Sequence, residues 1–80
     1  MNRVEVHGRL QNIFRDVFNR PQLEIGDTTT SMDIEGWDSF QQINLIVAIE
    51  DEFELKVPLK KVNAMANVGE MIDYIAGELS

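Results

Sequence analysis

Residues 36–53 read GWDSFQQINLIVAIEDEF, and the passage inside them from a glycine-led turn to an amphipathic run decides the fold. Ile43, Ile46, Val47, Ile49 and Phe53 recur at helical spacing, which predicts a helix from Ser39 to about Phe53. Asp38 stands where an N-cap belongs, and Gln41, three residues on, completes a capping-box pattern. Ser39 therefore falls in a first turn, where backbone N–H groups are unpaired and the helix carries partial positive charge. A hydroxyl there either supports the cap or anchors a negatively charged group. Residue spacing leaves both readings open.

Working outward, Val6, Leu10, Ile13, Phe14, Val17 and Phe18 form one apolar stripe, so a first helix is expected over about residues 3 to 19, ended by Pro21. Residues 22–38 have no sustained periodicity, and Gly26, the run TTTS and Gly36 supply turn chemistry. A connection of that length in a small domain is more often functional than idle. Its Leu23, Ile25, Met32, Ile34 and Trp37 are expected to pin it to the helices. After Phe53, Pro58 marks a connection, with a short helical turn expected near Leu59 to Ala64. Asn67 and Glu70 repeat the capping-box pattern ahead of a last helix built on Val68, Met71, Ile72, Ile75 and Leu79. The fold class is all-α: three main helices, one short helix, and a long loop between the first two. No repeat or internal boundary divides the chain, so residues 1–80 are read as a single domain.

Composition narrows the chemistry. Seven basic residues against fourteen acidic ones give a net charge of −7, contrary to what a nucleic-acid backbone requires. No Lys or Arg occurs from Pro21 to Leu55, an interval holding nine acids, so partners with basic docking surfaces are expected. Cysteine is absent, which removes disulfides, a thiol nucleophile and thiolate-bound metal; any thiol chemistry must use sulfur supplied from outside. With no apolar run long enough to span a membrane and no leader-like N-terminus, a soluble cytoplasmic monomer is expected.

Catalytic and metal constellations fail on inspection. Ser39 lacks the strand and flanking glycines of a hydrolase nucleophile elbow, and the single histidine, His7, has no positioned partner. The cluster EDEFE spreads its carboxylates around a helix and lacks a calcium loop's alternation and central glycine. No phosphate-binding glycine loop is present. Neither catalytic residues nor metal ligands are assigned.

The chain resembles the acyl carrier proteins. Asp38, Ser39 and Phe40 match their attachment motif of Asp-Ser followed by an apolar residue at the start of a second helix. INLIVAIEDEFELKVP continues the resemblance through Pro58, and VGEMIDYIAGEL extends it near the C-terminus. The resemblance implies a right-handed four-helix bundle in which a phosphopantetheinyl transferase converts Ser39 into a covalent 4′-phosphopantetheine carrier. The missing thiol is thereby supplied, and the protein is a substrate passed among acyl-loading and acyl-transferring enzymes, not an enzyme itself. It also implies that Gly36, Trp37, Asp38, Phe40, Gln42, Ile43, Val47 and Glu50 form the motif and partner-contact surface. Leu45, Ile46, Ile49, Val62, Met65, Ile72 and Ile75, with Ile43 and Val47, are candidates to line a space for the acyl chain; for each, plain core packing is an equal reading.

The sequence departs from the family pattern at Phe40, at Gln41 and Gln42, and at Asn44, which leaves the front of the second helix neutral, while Lys60 and Lys61 add positive charge. These departures favour a specialised lipid, polyketide or cell-surface polysaccharide and lipopolysaccharide pathway over general fatty-acid synthesis. A peptidyl or aminoacyl carrier, and an unmodified helical adaptor in which Ser39 is only a cap, are the competing readings.

Overall fold

The computed structural model describes all of residues 1–80 as four helices: α1 (Arg3–Val17), α2 (Ser39–Phe53), α3 (Leu59–Asn63) and α4 (Val68–Glu78). Helix α1 is the centre of the bundle and packs on both α2 and α4. Its stripe of Val6, Leu10, Ile13 and Phe14 is buried, and so are Leu45, Ile46, Ile49 and Phe53 of α2 and Val68, Met71, Ile72 and Ile75 of α4. Each such side chain taken from water contributes about 1.5–3 kcal/mol, which is what holds three short helices together.

Helix α1 stops two residues before the expected end. Asn19 takes the left-handed conformation (φ 54), and the N–H groups of Asn19 and Arg20 bond back to the carbonyls of Asp16 (3.3 Å) and Arg15 (2.9 Å). This paired closure satisfies the last carbonyls before Pro21 is reached, so the cap, not the proline, ends the helix. At the end of α2 the same backbone region is taken by Glu54 (φ 52), an uncommon residue for it.

The long connection runs back along α1 and then across to α4. Polar side chains of α1 serve its backbone: Arg15 Nε donates to the Leu23 carbonyl (2.7 Å), Gln11 Oε1 accepts from Ile25 N (3.0 Å), and His7 Nε2 meets the Ile25 carbonyl (2.6 Å). Farther on, the N–H groups of Val68 and Gly69 donate to the carbonyls of Thr29 (2.8 Å) and Asp27 (3.0 Å). Ile25 and Ile34 are buried, and Leu23 and Trp37 pack against the core. Met32 departs from expectation: it is 93% exposed, because residues 30–33 turn outward around an Asp33 carboxylate that accepts from Thr30 N (2.9 Å).

Two α2 positions depart from the expected stripe. Ile43 and Val47 are 52% and 59% exposed, because the buried face is Leu45, Ile46, Ile49 and Phe53, leaving Phe40, Ile43 and Val47 on a separate outward face. The capping boxes are also altered. Asp38 Oδ1 accepts from Gln41 N (2.9 Å), but the Gln41 amide donates to the Val17 carbonyl (3.1 Å) and so ties the start of α2 to the end of α1. At α4, Asn67 Oδ1 accepts from Glu70 N (3.0 Å), while Glu70 Oε2 accepts from Ala66 N (3.0 Å), one residue outside the box.

Candidate functional site

Ser39 is the first residue of α2 and is exposed. Its position is built from both sides. Upstream, Gly36 adopts φ +91, a conformation that favours glycine, and turns the chain so that Trp37 reaches the core. The Trp37 ring meets Phe14 edge-on with centroids 5.3 Å apart and lies 5.9 Å from Phe18. An aromatic anchor of this size immobilises the segment that carries the serine. Downstream, the Asp38 side chain and carbonyl accept from the N–H groups of Gln41 (2.9 Å) and Gln42 (2.9 Å). The N–H groups of Ser39 and Phe40 have no partner within the chain and stay free at the positive end of α2.

Beside Ser39 lies a cleft of about 300 Å³, walled by Thr30 and Ser31 of the loop, Trp37 and Gln42, and Val62, Asn63, Met65, Ala66, Asn67 and Met71. One carboxamide spans it: Gln42 Oε1 accepts from Trp37 Nε1 (2.6 Å), and Gln42 Nε2 donates to Asn63 Oδ1 (3.3 Å). The loop, α2 and α3 are thus joined next to the serine.

The sequence-derived candidates divide into three groups. Gly36, Trp37, Asp38 and Ser39 are brought together, with Phe40, Ile43 and Val47 outward on the same helix. Gln42 and Glu50, considered as partner contacts, have partners inside the chain: Gln42 as above, and Glu50 Oε2 accepting from Val57 N (2.8 Å). Among candidates for lining an acyl space, Val62 and Met65 border the cleft, whereas Leu45, Ile46, Ile49, Ile72 and Ile75 lie in the closed core. Ile43 and Val47 face outward and line neither. Asn63 and Ser31 were not singled out from sequence, and Asn67 was read only as the cap of the last helix. Nothing in their spacing marks them as neighbours in a cleft, since they come together only when the loop docks on the α3–α4 region.

Residues 8–75 match the family described as the phosphopantetheine attachment site. The solution structure of the holo acyl carrier protein from Geobacter metallireducens is similar with a TM-score of 0.85 and 32% identity, covering 92% of this chain and 85% of that one. A stretch of 50 residues is 44% identical to the mitochondrial acyl carrier protein of Saccharomyces cerevisiae, covering 62% of this chain and 39% of that protein. The chain spans about two fifths of the length of that relative. The family match and the likeness of the fold define this small all-helical domain as a prosthetic-group carrier. The chain belongs to the acyl carrier protein family, whose prosthetic group is 4′-phosphopantetheine. The site suits that group: an exposed hydroxyl, two free N–H groups able to receive phosphodiester oxygens, and an adjoining cleft with amide and hydroxyl walls. No helix is long and apolar enough to cross a membrane.

Proposed function

We propose that Ser39 is the attachment residue and that the protein carries acyl intermediates as thioesters on 4′-phosphopantetheine. The observation that carries this reading is the exposed Ser39 hydroxyl at the first position of α2, beside the Asp38 cap, inside the stretch matched to the family. A phosphopantetheinyl transferase would supply the reaction. Ser39 Oγ gains a bond to the phosphopantetheinyl phosphorus of coenzyme A, the phosphoanhydride bond to adenosine 3′,5′-bisphosphate breaks, and the serine proton passes to a base on the transferase. The attached group provides the thiol that the sequence lacks. The chain's own part is to hold Ser39 open, to present free N–H groups to the new phosphodiester, and to offer itself as a substrate to acyl-loading and acyl-transferring enzymes.

The pathway we favour is specialised, in lipid, polyketide or cell-surface polysaccharide chemistry, and the support is the first turn of α2, which holds no acid. Gln41 and Gln42 there are committed to Val17 and to Trp37 and Asn63. A compartment holding coenzyme A and a transferase is required, for which the cytoplasm is the reading. Intact mass after incubation with coenzyme A and a broad-specificity transferase tests the attachment. The mass should rise by one phosphopantetheine, and Ser39→Ala should abolish the rise while leaving the helices folded. Modification that persists in Ser39→Ala overturns the site. A wild-type chain refused by several transferases supports the unmodified adaptor instead.

A further inference from the structure

The surface is acidic except around α3. From Leu55 to Gly69 there is no acid and there are all three lysines of the chain, Lys56, Lys60 and Lys61; the four arginines share the remainder with all fourteen acids. The arginines are engaged within the fold. Arg3 pairs with Asp27 and Asp73, Arg9 with Glu5 and Glu52, and Arg20 with Glu35, while Arg15 donates to the Leu23 carbonyl. No lysine forms an ion pair, and all three are exposed. Lys61 shares a hollow with Glu70 and Asp73, but Glu70 accepts from Ala66 N (3.0 Å) and Asp73 from Arg3 (2.7 Å). Lys56 stands at the margin beside Glu50 and Glu54, so the centre of the basic patch is Lys60 and Lys61. Beside them Leu59 is 45% exposed. Cations are favoured in the last turn of α3, where both lysines sit, but a helix of five residues gives no reason for an exposed leucine next to them.

The patch lies within reach of the attachment serine. Val62 and Asn63, directly after the lysines, wall the cleft that adjoins Ser39, and Asn63 is bonded to Gln42 of α2 (3.3 Å). An enzyme that works on a group carried at Ser39 therefore comes up against α3 as well. We infer that α3 is a second docking surface, opposite in sign to α2, and that an acyl-transferring partner presents carboxylates to Lys60 and Lys61 around an apolar recess for Leu59. This rests on the carrier reading of Ser39. Basic residues of the same partner meet the acids of α2 from Glu50 onward, so the complementary surface is bipolar. Two contacts of opposite sign fix the orientation of docking, and an enzyme face that is basic throughout is repelled at α3.

The test has two arms, both on the full chain converted to its holo form and checked by intact mass. A hexaglutamate peptide titrated at low ionic strength should shift the backbone N–H resonances of residues 59–63 and leave those around Arg3, Arg9, Arg15 and Arg20 in place. Shifts centred on the arginines, or none, overturn the patch as a site for acids. In the second arm, KM and kcat are measured with an acyl transferase of fatty-acid type, one of polyketide type and an acyl-adenylating ligase. For an enzyme with the bipolar surface, Lys60→Glu with Lys61→Glu should raise KM by about threefold to tenfold, hold kcat and flatten the salt dependence. Lys60→Arg with Lys61→Arg should behave as wild type. A KM that is unchanged or lowered by the reversal with every enzyme overturns the docking surface and leaves the carrier function standing, and a lowered thermal midpoint with unchanged KM assigns the lysines to the end of α3 alone. A chain that no transferase modifies at Ser39 overturns both.

Discussion

A methyl group placed on Gly69 would lie 2.7 Å from the backbone oxygen of Asp27, and the backbone offers no side-chain tip that could swing away. Gly69 also donates its N–H to that same oxygen at 3.0 Å, so the contact is the seam between the loop and α4. Gly69→Ala is expected to push the seam apart and to destabilise the fold by about 1–3 kcal/mol, read as a lower denaturant midpoint. The effect should extend beyond stability, because residues 30 and 31 of the same loop wall the cleft. Trp37 stands on the other side of that loop as its aromatic anchor. Its indole N–H is bound to Gln42 at 2.6 Å, so Trp37→Phe tests that bond while keeping most of the ring packing on Phe14 and Phe18. Trp37→Phe should therefore leave the helices intact and slow modification of Ser39, measured by time-resolved intact mass.

Helix α2 carries two apolar faces with different uses. Leu45, Ile46, Ile49 and Phe53 build the core, while Phe40, Ile43 and Val47 look outward on the helix that Ser39 begins. Between its ends the outer surface is neutral, since Asn44 bonds to Gln41 (2.9 Å) and the acids lie at Asp38 and from Glu50 onward. Asn44→Glu adds charge without breaking the Gln41–Val17 tie that Gln41→Asp would lose. It should improve use by a general fatty-acid enzyme and steepen the salt dependence, with a contact of about 0–1 kcal/mol. Steady-state rates over a salt series measure this; unchanged rate and slope would count against the specialised-partner reading. The helices were legible in the sequence because caps and apolar periodicity are local signals, and so was the place of Ser39 at the start of α2, because the Asp38 cap is contiguous with it. The two faces of α2 were not separable, since Ile43 and Val47 satisfy a helical period as well as Ile46 and Ile49 do. Nor could spacing reveal that Glu50 would cap Val57, or that Gln42 would reach Asn63 across the cleft. Such polar pairings depend on tertiary placement.

At the scale of the whole molecule, a net charge of −7 works against compactness, and Arg3 relieves part of that repulsion by pairing with two carboxylates. Its guanidinium bonds to Asp73 (2.7 Å), Asp27 (3.0 Å) and the Gly69 carbonyl (3.3 Å), joining α1, the loop and α4. These hydrogen bonds, that to Asp27 foremost, hold its pKa above the ordinary arginine value. Arg3→Ala should lower the thermal midpoint most at low ionic strength, with the deficit narrowing as salt screens the freed carboxylates; a deficit independent of salt would assign Arg3 to packing instead. The seam at Asp27, Thr29, Val68 and Gly69 has a further consequence, in the order of manufacture. The only backbone–backbone bonds from residues 22–38 to α4 are those that Thr29 and Asp27 accept from Val68 and Gly69. On a ribosome the serine emerges about thirty residues before those partners do. Until α4 has been made the loop can lie only on α1, and the wall of the cleft formed by residues 30 and 31 lacks its seam to Val68 and Gly69 and the opposite wall at Asn67 and Met71, so a nascent chain shows Ser39 before the cleft beside it is complete.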